Sequence, residues 1–314
     1  MASSRRVDRY RLLRPGQSGI ALVGVLWLVI LLSLIATTLS ITSRSEVRLA
    51  GNLVDAARAA HAADAGIEWA LWSLLLPPEE GWLADGQIHE MELDGIQVRV
   101  ALYDELGKFN INLTGPEQLV GLFDSIGLDD QKGQELTDAI LDWRDKDDLR
   151  RLNGAEDDDY LAAGREGGAK DAPFESLAEL RQVLGMTEEI YQSIRPALTI
   201  YSNQRLINPL VAPRRALLAL SEVSEEQIDQ YIEDRRRSHE DGLPSPPPPL
   251  PDTGFLAPTT RGLNYTVVTE AQASATTSIR QALIIRRRGS VQSGGFEVLE
   301  QTRDTEPLFQ GENL

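Results

Sequence analysis

The chain has 314 residues, a formal net charge of −17, 25% charged residues and no cysteine. Without cysteine there is no disulfide framework and no Cys-based zinc site, whatever the compartment. So acidic a surface repels phosphate backbones, which makes nucleic acid a poor partner, and it suits a divalent cation or a basic protein face.

A short leader carries Arg5, Arg6, Arg9, Arg11 and Arg14, and the twenty residues 20–39 that follow hold no charge. Twenty apolar residues in a helix span about 30 Å, the thickness of a bilayer core. The basic flank stays in the cytoplasm, so the rest of the chain faces the other side. Three readings compete. A cleaved secretory signal has a shorter apolar region, about 7–15 residues, and a small-residue cut site after it; Ile35-Ala36-Thr37-Thr38-Leu39-Ser40 offers no such site. A plain membrane anchor is the second. The third rests on Gly16-Gln17-Ser18-Gly19-Ile20-Ala21-Leu22-Val23, which resembles the cut site of prepilin peptidases and puts cleavage between Gly19 and Ile20. Ser4-Arg5-Arg6 alone is a weak twin-arginine signal. Losing residues 1–19, with five arginines and one aspartate, takes the net charge from −17 to −21.

The helical pattern continues without a break to about Leu76. Leu49, Leu53, Ala56, Ala60, Ala63, Ile67, Ala70 and Leu74 recur at three- and four-residue steps as one apolar stripe. Pro77-Pro78 ends it, because proline lacks the N–H and clashes with the preceding turn. A helix over 20–76 would be about 85 Å long, with Gly51 and Gly66 as places to bend. A helix that begins in a membrane and runs on into water is the architecture of pilin-like subunits.

Two strands are predicted at 87–93 and 96–103, joined by Asp94-Gly95, both tolerant of positive φ. Sheet-like sequence then stops for about 160 residues. Helices are predicted at 116–126, 131–144, 176–184, 187–194, 213–220 and 224–237. Two pairs form helical hairpins, with Gly127 and Gly185 at the left-handed turn. Asn110-Ile111-Asn112 before Pro116 is loosely repeated by Ile207-Asn208 before Pro213. Residues 243–251 hold six prolines in nine positions, a stiff exposed connector. Strands resume at 264–269, 279–288 and 295–300. The domain plan is a leader at 1–19, a transmembrane part at 20–40, a helix with the first strands at 41–105, an inserted helical domain at 106–262, closing strands at 263–303 and a disordered tail at 304–314. The fold class is α+β: a long N-terminal helix packed on a small antiparallel sheet, with a large all-α insertion.

Catalysis finds little support. His61, His89 and His239 are scattered over a helix, a strand and a helix end, and no Walker loop, dinucleotide fingerprint, nucleophile elbow or HExxH motif is present. The strongest local signal is acidic. Asp142, Asp145, Asp147, Asp148, Glu156, Asp157, Asp158 and Asp159 fall within nineteen residues. Such carboxylates repel unless water or a cation screens them, and calcium takes six to eight oxygens from irregular loops. Asp142 and Asp145 would come from a helix end, and a loop would fold Glu156 and Asp157 back onto them. The spacing is not an EF-hand. A cation site and a solvated acidic loop both remain open on this reading. The helical hairpins raise a DNA-binding alternative, but their turns carry Asp129-Asp130 and Glu188-Glu189, where a phosphate backbone would need amides and basic residues.

These residues match a family. The Gly19-Ile20-Ala21-Leu22 start, the segment 106–112, the phrase 140–148 with 153–158, and the stretch 177–196 resemble the K-type minor pseudopilins of the type II (general) secretion system. The resemblance implies a pilin-like body with an inserted helical domain and no enzymatic role. It implies Ca2+ in the acidic loops; carried onto this sequence the ligands are Asp145, Asp147, Glu156 and Asp157, with Asp142 and Asp148 behind them. It implies cleavage by a prepilin peptidase, a single pass through the bacterial inner membrane with the bulk in the periplasm, and a place at the pseudopilus tip. The implied partners are two other minor pseudopilins, the I and J types, and the major pseudopilin. Ordinary pilin-like subunits carry Glu at the fifth mature position, where it neutralises a neighbour's N-terminal ammonium inside the bilayer. Here that position is Gly24, as suits a subunit with none above it. The competing reading is a membrane-anchored, DNA-binding competence-type protein with helix-hairpin-helix elements.

Overall fold

A computed structural model describes residues 18–220, 223–250, 262–274, 277–288 and 295–303. The expected leader through residue 17 and the tail from 304 lie outside the described residues. The chain divides into two units, 1–55 and 56–314.

The first unit is described from Ser18 and consists of the N-terminal part of helix α1, Ser18–Leu75. It is long and apolar enough to cross a membrane. Leu22, Trp27, Ile30, Leu34 and Leu39 are all exposed. The hydroxyls of Thr37, Thr38 and Thr42 donate to the carbonyls of Ser33, Ile35 and Thr38. Polar side chains that bond their own helix in this way are tolerated in hydrocarbon, where no water serves them.

In the second unit a five-stranded antiparallel sheet has the order β1-β2-β5-β6-β7. Its strands are β1 (Asp85–Leu93), β2 (Ile96–Asp104), β5 (Asn264–Ser274), β6 (Thr277–Arg287) and β7 (Phe296–Arg303). Asp94 and Gly95 both take positive φ, 51° and 79°, as a two-residue hairpin turn requires. The C-terminal part of α1 packs on this sheet. Ala59, Ala62, Ala63, Ile67, Ala70 and Leu74 are buried with Val98, Val100, Val267, Leu283 and Ile285. Small residues let the helix lie close. A Cβ on Gly66 would stand 2.9 Å from Val100 Cγ2 and 3.0 Å from Val98 Cγ1, so close packing, rather than a bend, accounts for this glycine.

β2 and β5 are neighbours, with Asp104 opposite Tyr265, and the whole helical block is inserted between them. Asp104 ties the two crossing segments together. Its carboxylate accepts from Leu106 N at 2.9 Å and from Gly262 N at 2.7 Å. The insertion contains α2 (Pro116–Asp124), α3 (Asp130–Arg144), α4 (Asp157–Ala162), α5 (Glu188–Ile194), α6 (Arg214–Leu218) and α7 (Glu225–Glu240) around its own core. Three expectations are corrected. Residues 157–162, expected as loop, are a short helix. The expected helix at 176–184 is a 3₁₀ segment, Leu177–Gln182. The stretch without sheet contains a two-residue parallel pair, β3 (Phe109–Asn110) with β4 (Leu198–Thr199). The loose repeat is a shared turn: Asn110 Oδ1 accepts from Asn112 N, and Asn208 Oδ1 from Leu210 N. Each precedes a proline that begins or caps a helix. Gly127 and Gly185 take the left-handed φ expected of them, 72° and 84°.

Candidate functional site

The acidic residues meet where the end of α3 packs against α4. Leu136, Ala139, Ile140 and Trp143 sink the inner face of α3 into the core. Trp143 stands 5.7 Å from the Tyr160 ring and 6.2 Å from that of Phe174. The Tyr160 hydroxyl accepts from Leu184 N at 3.1 Å. These contacts hold the start of α4 against the last turn of α3 and place their carboxylates side by side.

Asp142 is completely buried, and Arg151 serves it twice, through its guanidinium and its backbone N–H. The same guanidinium bonds Asp145. Glu156 precedes α4 and is 8% exposed; its backbone N–H donates to Asp159. Asp147 is exposed and accepts from Leu149 N at 3.1 Å. Three buried carboxylate oxygens here have no hydrogen-bond partner: Asp145 Oδ1, Glu156 Oε1 and Asp171 Oδ1. Burial pushes the Glu156 carboxyl up to about 7, and the charges of Asp142, Asp171, Asp145 and Asp148 push in the same direction. Burial also raises Asp171, with Asp148, Asp157 and Asp145 adding to it. Burial raises Asp142 despite its bonds to Arg151. Two glycines let the chain press on these groups. A Cβ on Gly154 would overlap Asp142 Oδ2, and one on Gly168 would overlap Asp157 Oδ1.

Of the residues singled out from the sequence, Asp142, Asp145, Asp148, Glu156 and Asp157 share one electrostatic neighbourhood, and Asp147 points to solvent. Asp171 is the member sequence reasoning missed. Its signal was the preceding Gly167-Gly168 pair, and it takes a positive φ of 53°. Among the described residues no group of three or more His, Asp or Glu side chains is placed as it would have to be to hold a metal ion. The donor chemistry nevertheless fits a hard cation: oxygen donors only, several of them buried without a partner, mutually repelling. Gly19 and Ile20, the expected cleavage pair, lie in the first turn of α1.

A membrane-length helix continuing onto an antiparallel sheet, with a helical domain inserted between adjacent strands, defines a pilin-like subunit of the kind whose body carries a second domain. The family model described as type II secretion system protein K matches residues 101–203, and one described as PilX N-terminal matches 18–68. The type II secretion system protein K of Pseudomonas aeruginosa is 25% identical over 249 residues, covering 72% of this chain and 74% of that protein. The Klebsiella pneumoniae protein of the same name is 34% identical over 101 residues, 31% of each chain. A chain in the crystal structure of the GspK-GspI-GspJ complex from enterotoxigenic Escherichia coli superposes with a TM-score of 0.56 at 17% identity. It covers 79% of this chain and 96% of that one, a likeness of fold. The chain is similar to the type II secretion system protein K family, and these similarities together support a minor pseudopilin of that system. The DNA-binding competence-type alternative is not favoured.

Proposed function

We propose that this subunit crowns the pseudopilus, where it helps initiate assembly and the export of folded proteins, and that it has no enzymatic role. The observation that carries the tip placement is Gly24. A Cβ there would meet nothing within 4 Å, so packing within the chain does not demand glycine. What the position lacks is the carboxylate that would neutralise the ammonium of a subunit above, inside a bilayer where unpaired charge is expensive. Gly24→Glu is expected to weaken secretion or misplace the subunit while leaving its fold intact. Unchanged secretion and pseudopilus length in cells carrying this variant would remove the argument.

Before assembly the protein is held in the inner membrane by α1, with the remainder in the periplasm, and a prepilin peptidase matures it between Gly19 and Ile20. A bulky residue at Gly19 is expected to abolish processing. N-terminal sequencing that finds Ile20 first on the wild-type chain, and an intact leader on the Gly19→Leu chain, is the result this reading requires.

The partners are an I-type and a J-type minor pseudopilin, as in the complex that the similar structure was solved in, and below them the major pseudopilin. A feature of α1 supports such contacts. Trp69 and Trp72 are 54% and 61% exposed. Half-exposed indoles one helical turn apart are unusual on a free surface and typical of interface anchors. Replacing both with serine is expected to weaken the three-subunit complex at least about tenfold, measured by calorimetric titration with the other two subunits. Unchanged affinity would move the interface elsewhere.

The acidic cluster is proposed to bind Ca2+. Asp145, Glu156, Asp157 and Asp171 would hold it, with Asp148 and Asp147 at the solvent side and Asp142 kept by Arg151. Bound there, the ion would fasten α3, α4 and the 168–171 segment together.

A further inference from the structure

The inserted domain also grips the sheet through α7, beside the point where the chain crosses between them: Asp85 pairs with Tyr103, and Asp104 N donates to Ala84 O at 2.8 Å. Asp85, at the start of β1, is completely buried. Its Oδ2 accepts from Arg235 Nη2 and from Arg236 Nε, both at 2.9 Å and both on α7. Arg235 is as buried as its partner and also donates to the carbonyls of Pro209 and Ala212. One carboxylate therefore serves two guanidiniums, and the junction holds an excess of one positive charge.

His89 sits beside this junction, four residues along β1. Its ring lies flat on Trp82, with centroids 3.9 Å apart and planes at 10°. The Trp82 backbone N–H is fixed by Ser73 Oγ of α1 at 2.6 Å. Across the strand pair His89 stands opposite Val100. The charged groups acting on it are Asp85 on its own strand and Arg236 and Glu240 on α7. The neighbouring His239 of α7 donates Nε2–H to Gly81 O at 2.7 Å, a bond its protonated form keeps. His89 Nε2 is buried with no partner. In the neutral ring that nitrogen can be a bare lone pair. In the imidazolium both nitrogens carry hydrogen, so a buried N–H would lack an acceptor and a second excess cation would face Arg236. Burial and Arg236 accordingly hold the His89 pKa below its ordinary value, against the opposite pull of Asp85 and Glu240.

We propose that the Trp82–His89 stack and the Asp85–Arg235–Arg236 bridge form an acid-sensitive latch between the inserted domain and the pilin sheet, closed while His89 is neutral and loosened when it is protonated. At neutral pH the inserted domain is presented in one orientation; in acid α7 comes away from β1 while the chain crossing at Asp104 remains. The sign follows from linkage. A histidine with a folded pKa below its unfolded one contributes stability that is present above the unfolded value and lost as pH falls through the folded one. Asp104 at the chain crossing, pushed up to about 6 by burial, acts in the opposite sense, so the latch is read from the difference between variants.

The test is amide hydrogen exchange on the full chain in detergent, with protection of α7 and β1 compared at about pH 7.5 and about pH 5.5 after correction for intrinsic rates. Protection in these two elements is expected to fall severalfold on acidification. His89→Phe keeps the stack on Trp82 and cannot be protonated; it should flatten the response. Arg236→Gln removes the facing cation and should reduce it. A wild-type chain with pH-independent protection there, or a His89→Phe chain with the full response, overturns the proposal.

Discussion

With calcium at about one hundred times its dissociation constant, the full chain in detergent is expected to melt roughly 4 °C higher than with chelator. That corresponds to about 2.7 kcal/mol from mass action on the folded state, spread over a chain of this size. The expectation rests on the acidic cluster. Asp145, Glu156 and Asp171 each bury a carboxylate oxygen that nothing in the protein bonds, and burial, with the neighbouring carboxylates adding to it, pushes Glu156 up to about 7. A hard cation with six to eight oxygens relieves both penalties, and magnesium, which demands a tighter octahedral shell, should do so poorly. Glu156→Gln and Asp171→Asn should each remove most of the calcium effect. Glu117→Gln, on the exposed first turn of α2, should not. The chain must be tested whole, because the residues of α1 from Ala59 to Leu74 are part of the sheet's core. Equal melting with calcium and with chelator would leave Arg151 as the counter-charge and return the run to a solvated acidic loop.

What was legible in the sequence followed short-range rules. The uncharged run, the stripe that continues it and the proline pair that stops it predict α1 to within two residues at each end. Asp94-Gly95 names its own turn. The acids that cluster were visible as a run, but their grouping was not. Asp147 lies in the middle of the run and faces water, while Asp171 lies outside it and joins the cluster, because the backbone turns at Gly167-Gly168 and brings Asp171 back. Helix α4 was hidden because three aspartates in succession read as loop; at a helix N-terminus they complement the macrodipole. The β3–β4 pair is two residues a side and has no periodicity to detect. The least legible feature was the pairing of Asp85 with Arg235. They are 150 residues apart, and α7 reads as a charged surface helix. Only the fold reveals that Arg235 is among its largest fully buried side chains.

Asp85→Ala is therefore expected to have the largest effect of any single change at the junction. It leaves two guanidiniums facing a dry site with no anion. Breaking a buried pair from one side costs about 3–5 kcal/mol, because the remaining charge is uncompensated. At this chain length that is a fall in melting temperature of roughly 5–8 °C. The native carboxyl is held below its usual range: burial works to raise it, and Arg235 and Arg236 together outweigh burial. Removing Asp85 and Arg235 together should cost less than removing Asp85 alone, because the Arg236 that remains is 32% exposed and can turn to water. Asp85→Leu with Arg235→Met replaces a desolvated pair by packed apolar groups, a change that is often neutral or stabilising. It also frees the carbonyls of Pro209 and Ala212, which offsets part of that gain. The comparison separates two roles. If the ion pair contributes mainly stability, the double variant should be no better than Asp85→Ala. If it selects the orientation of the inserted domain, the double variant should recover the melting temperature yet still assemble poorly with the two partner subunits, since apolar groups can slide where one carboxylate between two guanidiniums cannot. Melting curves and complex formation measured on the same three proteins decide between them, and full recovery of both would leave the bridge without a positioning role.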